Sequence, residues 1–155
     1  MISVMSGEQD RIDIAQAAAQ QLQEIGINCT VDIPAQMDWG GQMACLIGWG
    51  SPFDADDHTY KVFGTDKGAN YSGYSNEKVD EYLTLARQYE DQETRAKYYD
   101  LFQEELAKDP AYAFICYIDA NYVADSDIKG ISEKTVLGHH GVGIFWNIQE
   151  WEIVK

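Results

Sequence analysis

Ile27-Asn28-Cys29-Thr30-Val31-Asp32-Ile33 alternates apolar and polar residues with a period of two, which turns Ile27, Cys29, Val31 and Ile33 to one face of a strand. Pro34 ends the run. The segment just before it carries Ile12, Ala15, Ala18, Ala19, Leu22 and Ile25 at helical spacing, preceded by Asp10 and closed by Gly26. Ile2-Ser3-Val4, earlier still, alternates weakly as a strand. Strand, helix and strand in this order make a βαβ unit, whose crossover is almost always right-handed. The fold class is therefore α/β.

The apolar run Met43-Ala44-Cys45-Leu46-Ile47, bounded by Gly41 and Gly48, reads as a strand buried on both faces of the sheet. It delivers Trp49 and the following polar loop to a strand end. Ligands gather at such ends in open α/β sheets, which makes Gly48-Trp49-Gly50-Ser51-Pro52-Phe53-Asp54 the first place to look for a site. Ser75 is expected to cap a helix with Val79, Tyr82, Leu83 and Ala86 on one face. Asp91 is expected to cap a second, with Ala96, Tyr99, Phe102 and Leu106 inward and Asp109-Pro110 as its stop. Phe114 to Ile118 reads as another buried strand, and Tyr122-Val123 as a shorter edge. Four strands, Ile2 to Val4, Ile27 to Ile33, Met43 to Ile47 and Phe114 to Ile118, are expected in one mixed sheet flanked by helices near 10–25, 76–90 and 93–108.

Composition excludes several classes. The 155 residues carry a formal charge of −15 and only eleven scattered Lys and Arg residues, which disfavours nucleic acid and anionic lipid as partners. The longest apolar run, Ala111 to Ile118, is far shorter than the roughly 20 residues a membrane-spanning helix needs. Cys29, Cys45 and Cys116 form an odd set with no Cys-x-x-Cys spacing, so free thiols acting as small buried hydrophobes are expected. The chain opens Met1-Ile2-Ser3-Val4-Met5 without the pattern of a secretory leader, as a cytoplasmic, a mature or an excised chain would.

Asp54-Ala55-Asp56-Asp57-His58 invites a metal or acid–base reading. Its spacing fails the calcium-loop test, because the sixth position lacks glycine and the twelfth residue from Asp54 is Thr65. Capping of the helix that continues through His58, Tyr60, Val62 and Phe63 is the better account. The adjacent His139 and His140 point to opposite faces of an extended chain and cannot share one ion, so a polar loop is the better reading. Ser72-Gly73 lacks the strand-turn-helix setting of a nucleophile elbow. Trp49, Phe53, Tyr60, Tyr71 and Tyr74 lie in or beside polar loops, and aromatics with a few polar groups are how a protein grips a small organic ligand.

The stretch from Gly48 to Asp56, followed by Asn70-Tyr71-Ser72-Gly73-Tyr74-Ser75-Asn76-Glu77-Lys78-Val79-Asp80, resembles the family-five bacterial extracellular solute-binding proteins. Ala86, Asp91, Arg95, the Tyr98-Tyr99 pair, Gln103, Leu106 and Asp109-Pro110 are similar to that family's helical pair. The resemblance runs from about Ile12 to Ile131 and rests on the order and spacing of several modest motifs. It implies part of one lobe of a two-lobe periplasmic-binding-protein fold (type II), with residues 1–131 from the second lobe and 132–155 a tail returning to the first. It implies capture of an oligopeptide, a dipeptide or a nickel complex between lobes for an ABC permease, with no enzymatic step and no cofactor. The location it implies is periplasmic or extracellular, membrane-anchored in the full-length parent.

By the same resemblance Trp49 stacks on the ligand, Ser51, Asp54 and Tyr71 offer hydrogen bonds, Phe53 lines the site, and His58 is a metal-side contact. Pro52 falls where several dipeptide binders carry an Asp, which brings the segment closer to the nickel-importer branch. The stretch between Asp32 and Met43 is also shorter than the usual crossover. Two rivals stand beside this reading: a metal-dependent hydrolase using Asp54, Asp56 and His58, and an acidic protein-interaction module. Apolar surface left uncovered by a missing lobe would favour self-association.

Overall fold

A computed structural model describes residues 1–41, 44–50, 54–119, 121–132 and 143–154. The chain forms two units, Met1–Trp49 and Gly50–Lys155.

In the first unit, β1 (Ile2–Ser3) pairs in parallel with β2 (Val31–Asp32), Ile2 opposite Val31 and Ser3 opposite Asp32. The helix between them, α1 (Gln9–Glu24), supplies the crossover and buries Ile12, Ala15 and Ala19. Gly26 ends α1 at φ +84°, where its N–H reaches Gln23 O at 3.0 Å and Ile27 N–H reaches Leu22 O at 2.9 Å. Only glycine takes that left-handed turn without steric cost, and the two bonds satisfy carbonyls the helix would otherwise strand. On the other side of β1, Ser3 bridges Cys45 in parallel, its N–H on Ala44 O at 3.0 Å and its carbonyl accepting from Leu46 at 3.0 Å. Val4, Ile12 and Ala15 form the small core, with Ile2, Val31 and Leu46 packed on it.

The second unit is built on three helices, α2 (Asp56–Phe63), α3 (Glu77–Ala86) and α4 (Gln92–Lys108). Asn76 caps α3 by accepting from the Lys78 and Val79 amides, and Asp91 caps α4 by accepting from Thr94 at 2.8 Å. The helix pair closes on Val79, Leu83, Ala86, Tyr99, Phe102 and Leu106, and Phe63 of α2 joins with its ring 5.4 Å from Phe102. Between α2 and α3 the Asn70 carboxamide organises the loop. It donates to Gly64 O and Tyr74 O and accepts from the Tyr74 amide. Farther on, β3 (Ile128–Lys129) pairs antiparallel with β4 (Glu152–Ile153), and the intervening 3-10 helix Ile144–Glu150 buries Asn147.

Several expectations are corrected. Among the described residues, two short ladders plus the Cys45 bridge stand in place of the one four-stranded sheet. Of the run 27–33 only Val31–Asp32 is paired, and Ile27 and Ile33 stay exposed. Phe114 to Ile118 takes no strand, and Phe114, Ile115, Tyr117 and Ile118 are exposed, as are Tyr122 and Val123. A short apolar run is compatible with burial but supplies no partner, and pairing is decided by what lies alongside. The α3 cap is Asn76, not Ser75, because Asn76 has the extended φ and ψ of −150° and 116° that aim its side chain at two free amides. In the tail, Val154 N–H donates to Asp127 O at 2.8 Å and Asn147 Nδ2 donates to Gly130 O.

All three thiols are free, but only Cys29 is buried, and Cys116 is exposed. Burial raises the Cys45 thiol pKa. With iodoacetamide at neutral pH we expect Cys116 to alkylate first, Cys45 more slowly and Cys29 only after unfolding, because the thiolate is the reactive form and needs access. Peptide mapping over time reads the order; early loss of the Cys29 thiol would contradict this packing.

Candidate functional site

The acidic stretch that opens α2 holds the charged groups that sequence reasoning singled out. The Asp54 Oδ1 atom accepts from the Asp56 amide at 2.8 Å, which bends the chain into the helix. The same carboxylate takes both arms of a guanidinium 41 residues away: Arg95 Nη1 donates to Oδ2 at 2.9 Å and Nη2 to Oδ1 at 2.6 Å. Arg95 in turn lies over the Tyr99 ring, 5.8 Å from its centroid, and Tyr99 belongs to the core. Asp56 Oδ2 meets Arg87 Nε at 3.3 Å, and Arg87 covers the Tyr60 ring at 4.0 Å. Asp57 pairs with Lys61 at 3.2 Å, one helical turn on, and faces His58 Nδ1 at 3.6 Å.

These groups line a shallow cleft of about 430 Å³ formed by Asp54, Asp56, Asp57, Arg87, Tyr89 and Arg95. Its charge is largely cancelled from within. The Arg95 fork holds the Asp54 carboxyl below the ordinary carboxylate range, helped by the Asp56 amide, and Asp54 raises the Arg95 guanidinium in return. A carboxylate so engaged stays ionised at neutral pH and is a poor proton carrier. Asp56 Oδ1 is buried without a hydrogen-bond partner, so one acceptor in the cleft is uncommitted. Among the described residues no group of three or more His, Cys, Asp or Glu side chains is arranged to hold an ion.

A pH prediction follows from the sign of the shift. The folded-state pKa of Asp54 is depressed, so the stabilisation it contributes is fully present above the ordinary value of 3.8 and is lost as pH falls through the depressed value. The start of α2 is expected to hold from neutrality down to about pH 5 and to loosen only in stronger acid. Carboxyl NMR titration of Asp54 checks it, and a midpoint above the ordinary value would contradict the Arg95 assignment.

The other expected site residues divide as follows. Trp49 ends the first unit and is 39% exposed, in keeping with a polar, glycine-rich loop. Tyr71 is exposed on the turn that Asn70 organises in the second unit, and Asp54 and His58 lie at the start of α2. Ser51, Pro52 and Phe53 fall outside the described residues, as do Met43, His139 and His140. Arg87, Tyr89 and Arg95 were not singled out as lining a site. Only an excess of acid over base near Asp54 hinted that cations must come from elsewhere in the chain.

No protein-family model matches the sequence, and no curated protein sequence does. Solved structures do match. NikZ from Campylobacter jejuni, solved in complex with Ni(L-His), superposes with a TM-score of 0.78 at 37% identity over 97% of this chain and 32% of its own. The oligopeptide-binding protein AppA from Bacillus subtilis, in complex with a nonapeptide, gives a TM-score of 0.74 at 23% identity over 99% of this chain and 31% of its own. The ABC transporter substrate-binding protein CtaP from Listeria monocytogenes gives 0.57 at 23% over 70% of this chain and 24% of its own. The last two share the fold. This chain spans about a third of the length of the first two. No helix among the described residues is long and apolar enough to cross a membrane.

Proposed function

We infer that this chain, which belongs to the family-five extracellular solute-binding proteins, forms part of the capture site through which such a protein supplies an ABC importer. The observation that carries the reading is the NikZ match, which extends over 97% of the chain at 37% identity. The ligand is a nickel complex or a peptide, delivered to a membrane permease with no bond made or broken. The identity to a protein solved with Ni(L-His), together with Pro52 in place of an acid, favours a metal–amino acid chelate over a dipeptide. Trp49 stacks on the ligand, Ser51, Asp54 and Tyr71 offer hydrogen bonds, Phe53 lines the site, and His58 faces the metal. The full-length protein works outside the cytoplasmic membrane, anchored to it, and the separate 155-residue chain self-associates through uncovered apolar surface.

Calorimetry on the full-length protein with nickel–L-histidine, free nickel ion, a dipeptide and a nonapeptide tests this. Nickel–L-histidine is expected to bind, Trp49→Ala to weaken it about tenfold through loss of one aromatic face, and the separate chain to bind far more weakly than the whole. Absence of binding to all four probes would overturn the capture reading, and a nonapeptide preferred to the chelate would shift the ligand class to peptides.

A further inference from the structure

Arg11 stands where its own helix gives it no support. It lies in the first turn of α1, and a cation there faces the positive end of the helix dipole. Glu8, three residues earlier, offsets this by meeting Nη1 at 2.9 Å, and the Arg11 side chain is only 15% exposed. The guanidinium also meets backbone. Its Nη2, Cζ and Nε atoms lie so close over Gly48 that a Cβ built there would fall 2.7 to 3.1 Å from all three, so the guanidinium takes the place of a side chain at 48. Gly48 has no left-handed φ, and close approach is therefore what its missing Cβ serves.

The contact falls where the chain leaves the sheet. Leu46 is tied to β1 by its N–H on Ser3 O at 3.0 Å, Gly48 meets Arg11 two residues later, and Trp49 comes next. The backbone running toward Trp49 is thus held first by β1 and then by the opening turn of α1, all within the first unit.

We propose that Arg11 is a positioning residue for ligand capture: its guanidinium, seated on Gly48 and held by Glu8, fixes the direction in which the chain leaves the sheet, and it acts on ligand through Trp49. The proposal rests on the capture reading above, in which Trp49 stacks on the ligand, and adds to it the group that sets that ring. An aromatic side chain already fixed binds more tightly than a loose one, because less freedom is lost on contact.

The test compares Arg11→Met, Gly48→Ala, Trp49→Ala and the Arg11→Met/Trp49→Ala double variant in the full-length protein. Nickel–L-histidine calorimetry gives affinity, and the Trp49 indole N–H signal in NMR, identified by its loss in Trp49→Ala, gives the position and mobility of the ring. Arg11→Met is expected to lower affinity about threefold, the scale of ordering one side chain on binding. Gly48→Ala, whose Cβ evicts the guanidinium without removing it, should do the same, and it carries the comparison if Arg11→Met fails to fold. Both should shift the indole signal and increase its mobility. With Trp49 already replaced, Arg11→Met should cost nothing further, because a residue that acts only through another shares its loss. An additive loss in the double variant would overturn the proposal and make Arg11 a contact of its own. An unmoved indole signal would overturn it too, and a moved signal with affinity intact would reduce Arg11 to a structural role. If Trp49→Ala alone leaves affinity unchanged, or the unaltered protein ignores nickel–L-histidine, the underlying capture reading fails and the ligand half of the proposal with it, whereas the indole signal in Arg11→Met still decides whether Arg11 sets the ring.

Discussion

Phe102→Ala is expected to lower the unfolding free energy by about 3–5 kcal/mol, the cost of removing a large aromatic side chain from a packed core and leaving a hole behind. Phe102 is nearly inaccessible, and it touches elements on two sides, packing with Val79 and Leu83 of α3 in one cluster and meeting the Phe63 ring of α2 at 5.4 Å. Neither side can collapse freely into the space, since Phe63 is also held edge-on against Tyr112 at 5.7 Å. A loss of this size is a large fraction of the roughly 5–15 kcal/mol that keeps a domain folded. Urea unfolding followed by tyrosine fluorescence measures it. A loss below about 1 kcal/mol would mean that α2 does not pack on the helix pair as described.

Gly130→Ala is the second large effect, and its origin is backbone geometry rather than packing. Gly130 sits at φ +86°, and a Cβ placed there would strike the carbonyl oxygen of Glu150, a backbone atom with no freedom to swing aside. The left-handed conformation alone costs a residue with a Cβ about 1–2 kcal/mol. Moving the two segments apart also strains the bond from Asn147 Nδ2 to Gly130 O at 2.8 Å, in a residue only 1% exposed whose side-chain oxygen accepts from Trp151 Nε1. A buried amide stripped of its partners costs a further 1–3 kcal/mol or so. We expect about 2–4 kcal/mol in all, with rapid amide exchange appearing across 144–153 before the helices are affected. Exchange and thermal stability unchanged by the substitution would show that the β3–β4 corner is not built this way.

The helices were legible in the sequence and the sheets much less so. Ile12, Ala15 and Ala19, or Val79, Leu83 and Ala86, repeat at a spacing that only a helix turns to one side, and each set is buried. A strand has no such internal guarantee. Phe114 to Ile118 has the composition of a core strand, yet the composition of a segment says nothing about whether another backbone lies beside it. The same limit hid the Asp54–Arg95 pair. Asp54 was legible as an acid near a helix start, but its partner is 41 residues away, and no local period connects them. From the sequence Asp54 reads as part of a helix-capping cluster, and by resemblance as a ligand contact, but neither reading points to Arg95.

The helix pair and the parallel ladder differ in one further respect, the time each needs to form. Between α3 and α4 lie only Arg87 to Asp91, and each helix carries a cap within its own sequence, Asn76 for one and Asp91 for the other. Their mutual contacts close short loops. β1 gains nothing from β2 until the whole of α1 has been spanned, because Ile2 is bonded opposite Val31. Contacts between residues distant along the chain must meet the entropy of closure before any interaction offsets it, and rates fall accordingly. During refolding the helical pair around Leu83 and Phe102 is expected to acquire its native contacts early, while the small parallel ladder waits for α1 to complete the crossover.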